Sequence, residues 1–117
     1  MDSLEQLMQL PQALAAFEIN ERGELQRHRI ADDTAFDASA LDLLAHMCVA
    51  NIAIATMQAR GWEALSDSRG FYPIEGFTLV GMDWSAVTDG RRGVVLHNED
   101  ADYQAAYDRL AQLQEAA

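Results

Sequence analysis

The chain has 117 residues, half of them hydrophobic, so it is large enough to bury a core as a single domain over residues 1–117. Its 19 acidic and 8 basic residues include no lysine, and the net charge of −11 opposes binding to nucleic acid or anionic lipid. The acidity serves solubility or docking to a basic partner. One cysteine, Cys48, excludes an internal disulfide, and no secretory signal pattern opens the chain, so we expect a cytoplasmic protein.

The first part of the chain predicts a short helix and a hairpin. Ser3 and Gln6 form a capping-box pattern, and the amphipathic helix that follows must end at Pro11. Residues 13–20 form an apolar run of strand length, and a glycine-containing turn leads to residues 25–30. This second run is more polar, which indicates a strand at the sheet edge.

The central helix is predicted over residues 39–61, with Ser39 and Asp42 capping its start and Gly61 ending it. Phe36 is expected to anchor the connection that precedes it. A sector of polar and small residues runs along one side of the helix and contains Asp42, His46, Val49, Ala53, Thr56 and Arg60. Most of the remaining circumference is apolar. One packed layer cannot cover that much apolar surface, and this predicts an oligomer.

Two residues of this helix allow alternatives. Cys48 is expected to be a buried, inert thiol, against a reactive or sulfur-carrying role. Asn51 is either a satisfied buried amide or a self-pairing residue that sets register. Because Asp42, His46 and Asn51 interrupt the apolar run, we expect no membrane span.

The second part of the chain predicts three strands and a helix. Residues 62–69 are expected to be a short helical extension that becomes a loop, and Pro73 and Gly76 make residues 71–74 irregular or a bulged edge. Residues 77–82, 84–88 and 92–97 are predicted strands, with a hairpin turn at Asp89-Gly90. The last helix is predicted to begin at an Asn98 N-cap.

These elements predict an α+β fold, a three-layer α-β-α sandwich with the order α-β-β-α-β-β-β-α. The central helix, about 34 Å long, can cross a five-stranded sheet about 19 Å wide diagonally. The two hairpin halves then meet in the middle and give an antiparallel sheet of order 2-1-5-4-3, with the first and last helices on the other face.

The sequence contains no pattern that indicates catalytic, cofactor or metal chemistry. A P-loop, a dinucleotide fingerprint and a nucleophile elbow are all missing, and His28 and His97 lack a third ligand nearby. We therefore expect no enzyme, no cofactor and no metal. Phe71, Tyr72 and Trp84 are candidates for a ligand pocket or a partner surface, although core packing is the simpler interpretation.

The stretches LEQLMQLPQALAAFEINERGELQ and GFTLVGMDWSAVTDGRRGVVL flank a long helix rich in small residues and precede a terminal amphipathic helix. This succession resembles the roadblock/dynein light chain family of profilin-like domains, in particular its small prokaryotic members of undefined role. The resemblance covers nearly the whole chain and depends on element order, not on a catalytic motif.

The resemblance implies a homodimer in which the long helices pack together and the third strands pair into a ten-stranded sheet. It implies a scaffold or regulator, with a small Ras-like GTPase or a larger complex as partner. The stripe of Asp42, His46, Val49, Ala53, Thr56 and Arg60 is then the expected dimer surface. Pro73, near the implied dimer edge, departs from the family pattern. The alternative is a small-molecule sensor or carrier that uses a cavity of the fold.

Overall fold

The computed structural model describes residues 2–32, 34 and 36–115, which form three helices and a five-stranded antiparallel sheet. The strand order is β2-β1-β5-β4-β3. The elements are α1 (Ser3–Met8), β1 (Ala13–Ile19), β2 (Leu25–Ile30), α2 (Ala38–Ser66), β3 (Phe77–Val80), β4 (Trp84–Thr88), β5 (Arg92–His97) and α3 (Tyr103–Glu115). The predicted fold class, element order and sheet order are confirmed.

The sheet separates two hydrophobic cores because successive strand residues point to opposite faces. Val94 of β5 packs with α1 and α3 on one face, whereas Val95 packs with α2 on the other. The core under α1 and α3 includes Leu4, Leu7, Ala16, Val87, Leu96, Ala106 and Leu110. The core under α2 includes Ala15, Phe17, Ile19, Leu41, Leu44, Ala45, Cys48 and Ala86.

One glycine of the central strand is required by this packing. Phe17 is fully buried, and its ring lies against the backbone of Gly93 on the neighbouring strand. A Cβ at position 93 would come within 2.8 Å of Phe17 Cε1, so the ring occupies space that every other residue would fill. No local pattern around Phe17 or Gly93 in the sequence predicts this contact.

The central helix is longer than predicted at both ends. It begins at Ala38 because Asp37, not Ser39, is the N-cap and accepts a hydrogen bond from the Ala40 backbone N–H at 2.8 Å. Gly61 lies inside the helix, which ends at Ser66 with Asp67 in the left-handed conformation. The predicted ends were wrong because several residues compete as caps and stops, and tertiary contacts select among them.

Two other caps also differ from the prediction. Asp2 precedes α1 and accepts from the Leu4 backbone N–H, while the predicted cap Ser3 donates its hydroxyl to Glu18. Asn98 does not begin α3. Its amide instead donates to two backbone oxygens of the turn between β3 and β4, at 2.9 and 3.2 Å, and the helix starts five residues later.

The segment before β3 is irregular, as predicted. It spans residues 70–76 and contains no strand, so β3 begins at Phe77 and Pro73 lies outside it. The predicted strands 13–20 and 77–82 are shorter at their ends, stopping at Ile19 and Val80. β3 is hydrogen-bonded to β4 and forms one edge of the sheet.

Candidate functional site on the central helix

Helix α2 contacts the sheet mainly through its first half. Four of its residues in this half are buried against the sheet: Leu41, Leu44, Ala45 and Cys48. The helix starts over β3 and β4, where Leu44 shares a groove with Leu79 and Trp84. It then reaches the turn between β1 and β2, where a Cβ added to Gly23 would lie 3.2 Å from His46 Cα.

The second half of α2 has little support from the sheet. Ile52 touches Gly90 in the turn between β4 and β5, and beyond it Ala59 is the one buried residue of the helix that the structure describes. A helix of 29 residues is about 43 Å long, whereas a strand of seven residues spans about 23 Å. The second half therefore extends past the strand ends as an arm, which we define as residues 53–66.

The predicted dimer stripe lies on one flank of α2. Asp42, His46, Ala53 and Arg60 are exposed, and Val49 and Thr56 are partly buried. His46 and Val49 lie against Gly23, so the chain's own turn covers part of the stripe.

A second row, which the sequence analysis did not single out, faces away from the sheet. It consists of Leu43, Met47, Ala50, Ile54, Met57 and Gly61, all exposed, and we call it the outer row. Ile54 is 55% and Met57 is 74% exposed. The spacing alternates between four and three residues, which is the spacing of a helix that packs along another helix. That signal was present in the sequence, but the apolar residues on all sides of α2 obscured it.

An apolar groove lies beside the first part of the outer row. It measures about 370 Å³ and is bordered by Phe36, Ala40, Leu43, Leu44, Met47, Leu79 and Trp84. The rings of Phe36 and Trp84 meet edge to face with centroids 4.7 Å apart, and they form the wall next to the sheet. Grooves of this size with aromatic walls accept apolar groups.

The predicted ligand residues do not come together. Trp84 borders this groove, whereas Phe71 and Tyr72 lie on the segment 70–76 beside the arm of α2. The Phe71 ring stacks on Trp62, and Tyr72 accepts a hydrogen bond from the Arg60 guanidinium at 2.8 Å. The aromatic residues therefore belong to two separate surfaces.

Glu63 holds the segment 70–76 against the arm. Its Oε2 accepts hydrogen bonds from three successive backbone N–H groups, those of Gly70, Phe71 and Tyr72, at 2.9, 3.2 and 3.4 Å. These bonds, that of Tyr72 foremost, lower the pKa of the Glu63 carboxyl because they stabilise its charged form. The carboxylate replaces the strand or helix partners that this irregular backbone lacks.

We expect the variant Glu63→Gln to release this segment, because the amide is a weaker acceptor than the carboxylate. Trypsin should then cleave after Arg69 several-fold faster than in the wild type, as followed by mass spectrometry of fragments 1–69 and 70–117. Glu75→Gln, at an exposed position of the same segment, is the matched control. Equal cleavage rates for all three proteins would contradict the role of Glu63.

The cysteine and the histidines His28 and His97 lie apart in the described part of the chain. Cys48 is buried, as predicted, and burial raises the pKa of its thiol to about 11, with an opposing effect from the Thr88 hydroxyl. His28 lies level with Gly93 across β1, four residues along β5 from His97. Among the described residues, His, Cys, Asp and Glu side chains do not gather into a group of three or more that could hold a metal ion.

Helix α2 is, within the described residues, the one helix that is long and apolar enough to cross a membrane by length and composition alone. The polar residues Asp42, His46 and Asn51 leave the apolar stretch long enough by this criterion, and the absence of a membrane span stays a prediction. Such helices also occur in the cores of soluble proteins. In this chain only 22% of the apolar window is buried, which leaves an apolar face that needs a cover.

Comparison of the sequence with protein families gives one match. Residues 3–112 match the model of a family described as "Uncharacterized conserved protein (DUF2173)". Functionally curated proteins give no match to the chain.

Solved structures share the fold over nearly the whole chain. The gliding protein MglB from Thermus thermophilus is 22% identical with a TM-score of 0.65, and the match covers 98% of this chain and 87% of that one. A roadblock/LC7 domain from Streptomyces avermitilis is 12% identical with a TM-score of 0.65, covering 96% and 88%. MglB from Myxococcus xanthus is 16% identical with a TM-score of 0.61, covering 98% and 94%. The resemblance to the roadblock/LC7 fold is confirmed.

Proposed function

Because the chain belongs to the DUF2173 family and has the roadblock/LC7 fold, we propose that it is a non-enzymatic homodimeric module that regulates or scaffolds other proteins. The observation that carries the proposal is the outer row of α2. Burying Leu43, Ile54 and Met57 against a second copy removes from water apolar surface that this chain leaves exposed.

The outer row fits a second copy of itself in an antiparallel arrangement. When two helices are paired about the level of Ile52, Leu43 of one copy lies opposite Gly61 of the other. Ala50 then lies opposite Ile54, and Met47 lies opposite Met57. A large side chain therefore meets a small residue at two of the three levels, and two flexible methionines meet at the third. The small residues let the backbones approach closely, and the large side chains fill the space between them. It favours a twofold dimer, in which one surface serves both copies.

The predicted dimer stripe then borders the contact. Asp42 and Arg60 lie on the same flank of α2, and the antiparallel arrangement brings Asp42 of one copy near Arg60 of the other. Both side chains are exposed in this structure, and their opposite charges favour the arrangement. Arg60 is already oriented by Tyr72, which accepts its hydrogen bond. His46, Val49, Ala53 and Thr56 complete this border.

The partner class follows from the roadblock resemblance, which implies a small Ras-like GTPase or a larger complex. The acidic surface favours a basic docking surface on that partner, and it disfavours nucleic acid and anionic membranes. A cytoplasmic location fits a chain with a single cysteine. The pairing of the third strands that the resemblance implies requires the two helices to lie side by side on one continuous sheet. It is therefore an alternative to contact through the outer row, which faces away from the sheet.

A second candidate function is binding of a small apolar molecule. The groove beside Trp84 favours it, since its walls are apolar and its volume is about 370 Å³. This candidate requires that the groove stay open in the assembled protein.

The test is the molar mass in solution, by light scattering after gel filtration, of the wild type and of Ala53→Arg. We expect the wild type to be a dimer of 12.9 kDa chains at micromolar concentration and Ala53→Arg to dissociate more readily. A monomeric wild type at that concentration would overturn the proposed function and leave the ligand hypothesis.

A further inference from the structure

We propose that Leu65 of one copy fills the groove beside Trp84 of the other, so that each subunit completes a site that the other leaves open. The inference rests on the proposed homodimer and goes beyond it, because it assigns an occupant to the groove and a role to the arm of α2.

Two apolar features of the single chain, the groove beside Trp84 and the side chain of Leu65, are left exposed to water. The groove is walled by apolar side chains, and two of them, Leu43 and Met47, belong to the outer row. Leu65 is 88% exposed, the most exposed of the large apolar residues on α2, and it lies near the end of the arm. Both features are unfavourable in water, and neither can relieve the other within one chain, because they lie about 30 Å apart along the helix, at 1.5 Å per residue between Leu44 and Leu65.

An antiparallel dimer brings the two features together. Pairing about Ile52 places Leu65 level with Ser39 of the second copy, one residue from Ala40 at the groove. A twofold axis perpendicular to the helices keeps corresponding flanks on the same side. At about 100° per residue, Leu65 and Ala40 are displaced from the outer row toward the same flank, the one that faces β3 and β4.

The opposite flank of α2 offers a control position for Leu65. Asp42, Ala53, Arg60 and Ala64 lie on it, on the side of the β1–β2 turn. The same register therefore places Ala64 level with Ala40 of the second copy but across the helix pair. Leu65 and Ala64, although adjacent in sequence, are expected to face different surfaces of the partner.

A small apolar ligand is the competing occupant of the groove. The arm favours Leu65, since the arm is held in helical form as far as Ser66 and the segment 70–76 is fastened to it by Glu63. An exposed leucine on a rigid support loses little freedom on docking, because its backbone is already ordered.

The experiment uses the double variant Ala40→Cys/Leu65→Cys, with Ala40→Cys/Ala64→Cys as the matched control. Cys48 stays in place because it is buried. Two Cα atoms must approach to about 4.4–6.8 Å for a disulfide. After mild oxidation we expect covalent dimers on non-reducing gels for the first variant, at least ten times more than for the control.

Light scattering of the same reduced samples, together with the wild type, separates the two proposals. If the wild type and both reduced variants are dimers and the two cross-link equally or not at all, the Leu65 assignment is overturned while the homodimer stands. If the wild type is a monomer, the proposed function fails first, and the Leu65 assignment fails with it.

A second measurement uses the apolar dye 8-anilinonaphthalene-1-sulfonate as a probe of the groove. We expect the wild-type dimer not to bind it and Leu65→Ala to bind one dye per chain, with loss of binding when Trp84→Ala is added. Stoichiometric binding to the wild-type dimer that Trp84→Ala abolishes would overturn the inference in favour of a ligand groove.

Discussion

Replacement of Ile54 by arginine is expected to convert the dimer into a folded monomer. Ile54 is 55% exposed in the single chain and lies at the centre of the outer row, opposite Ala50 of the second copy in the proposed register. Full burial of one isoleucine stabilises by about 2 kcal/mol, and burial of the exposed half of Ile54 by about 1 kcal/mol, which the twofold axis doubles. The dissociation constant should rise by roughly thirtyfold, before the cost of burying two charges is added.

Molar mass across a dilution series measures this change, and circular dichroism verifies the fold. The matched control is Gln112→Arg, which adds the same positive charge at an exposed position of α3 on the other side of the sheet. Ala53→Arg adds it to the flank of α2, where a long side chain can reach solvent, so we expect a smaller effect. A stronger effect of Ala53→Arg than of Ile54→Arg would move the centre of the interface to the stripe.

Replacement of Glu18 by glutamine is expected to lower the free energy of unfolding by about 2 kcal/mol, the scale of a hydrogen bond to a charged group. Glu18 on β1 accepts hydrogen bonds from Arg27 at 2.9 Å and from Arg92 at 3.3 Å. Arg92 is 13% exposed, and within the described chain its Nη1 is buried without a hydrogen-bond partner. Loss of the Glu18 carboxylate leaves the positive charge of the Arg92 guanidinium with less negative charge beside it.

The pH dependence tests the same contact. Arg27 foremost, opposed by burial, lowers the pKa of Glu18 from 4.5 to about 2. Because the pKa of the folded state is the lower one, the stabilisation is present above about pH 4.5 and is lost as the pH falls towards 2. Urea unfolding at pH 7 and pH 3 should therefore show a smaller difference between wild type and Glu18→Gln at pH 3.

The control for Glu18 is Glu24→Gln. Glu24 pairs with Arg22 at 3.3 Å in the exposed turn between β1 and β2. Exposed pairs contribute less than about 1 kcal/mol because water screens them, so this variant should be close to the wild type at both pH values. Equal losses for the two variants would contradict the assignment of Glu18.

The sheet and its order could be predicted because they depend on patterns that are local in sequence. The apolar run of residues 13–20, the hairpin signal at Asp89-Gly90 and the spacing of the last helix each specify one element. Few topologies can join such elements by short connections, and the long central helix removes most of the rest. Cys48 was correctly placed in the core for the same reason, as it lies on the face that repeats Leu41, Leu44 and Ala45.

The predicted ends of α2 were wrong because more than one position in the sequence can cap or end the helix. Asp37 and Ser39 can both cap α2, and Gly61 can either end the helix or lie within it. Asp37 accepts the Ala40 hydrogen bond, and Glu63, beyond Gly61, gains three backbone donors when the helix continues. That gain depends on residues 70–72, which follow Glu63 across the end of the helix and are not visible to a local pattern.

The amino-acid sequence alone specified the elements, the sheet and the excess of apolar surface on α2, because hydrophobic periodicity and turn chemistry act over a few residues. Which part of that surface is free depended on the packing of distant segments. Gly23 covers His46 and Val49, the strands end before the arm begins, and Phe36 meets Trp84 to form a groove. When a helix is apolar on all sides, its sequence does not indicate which face is buried. The packing of the other elements decides that.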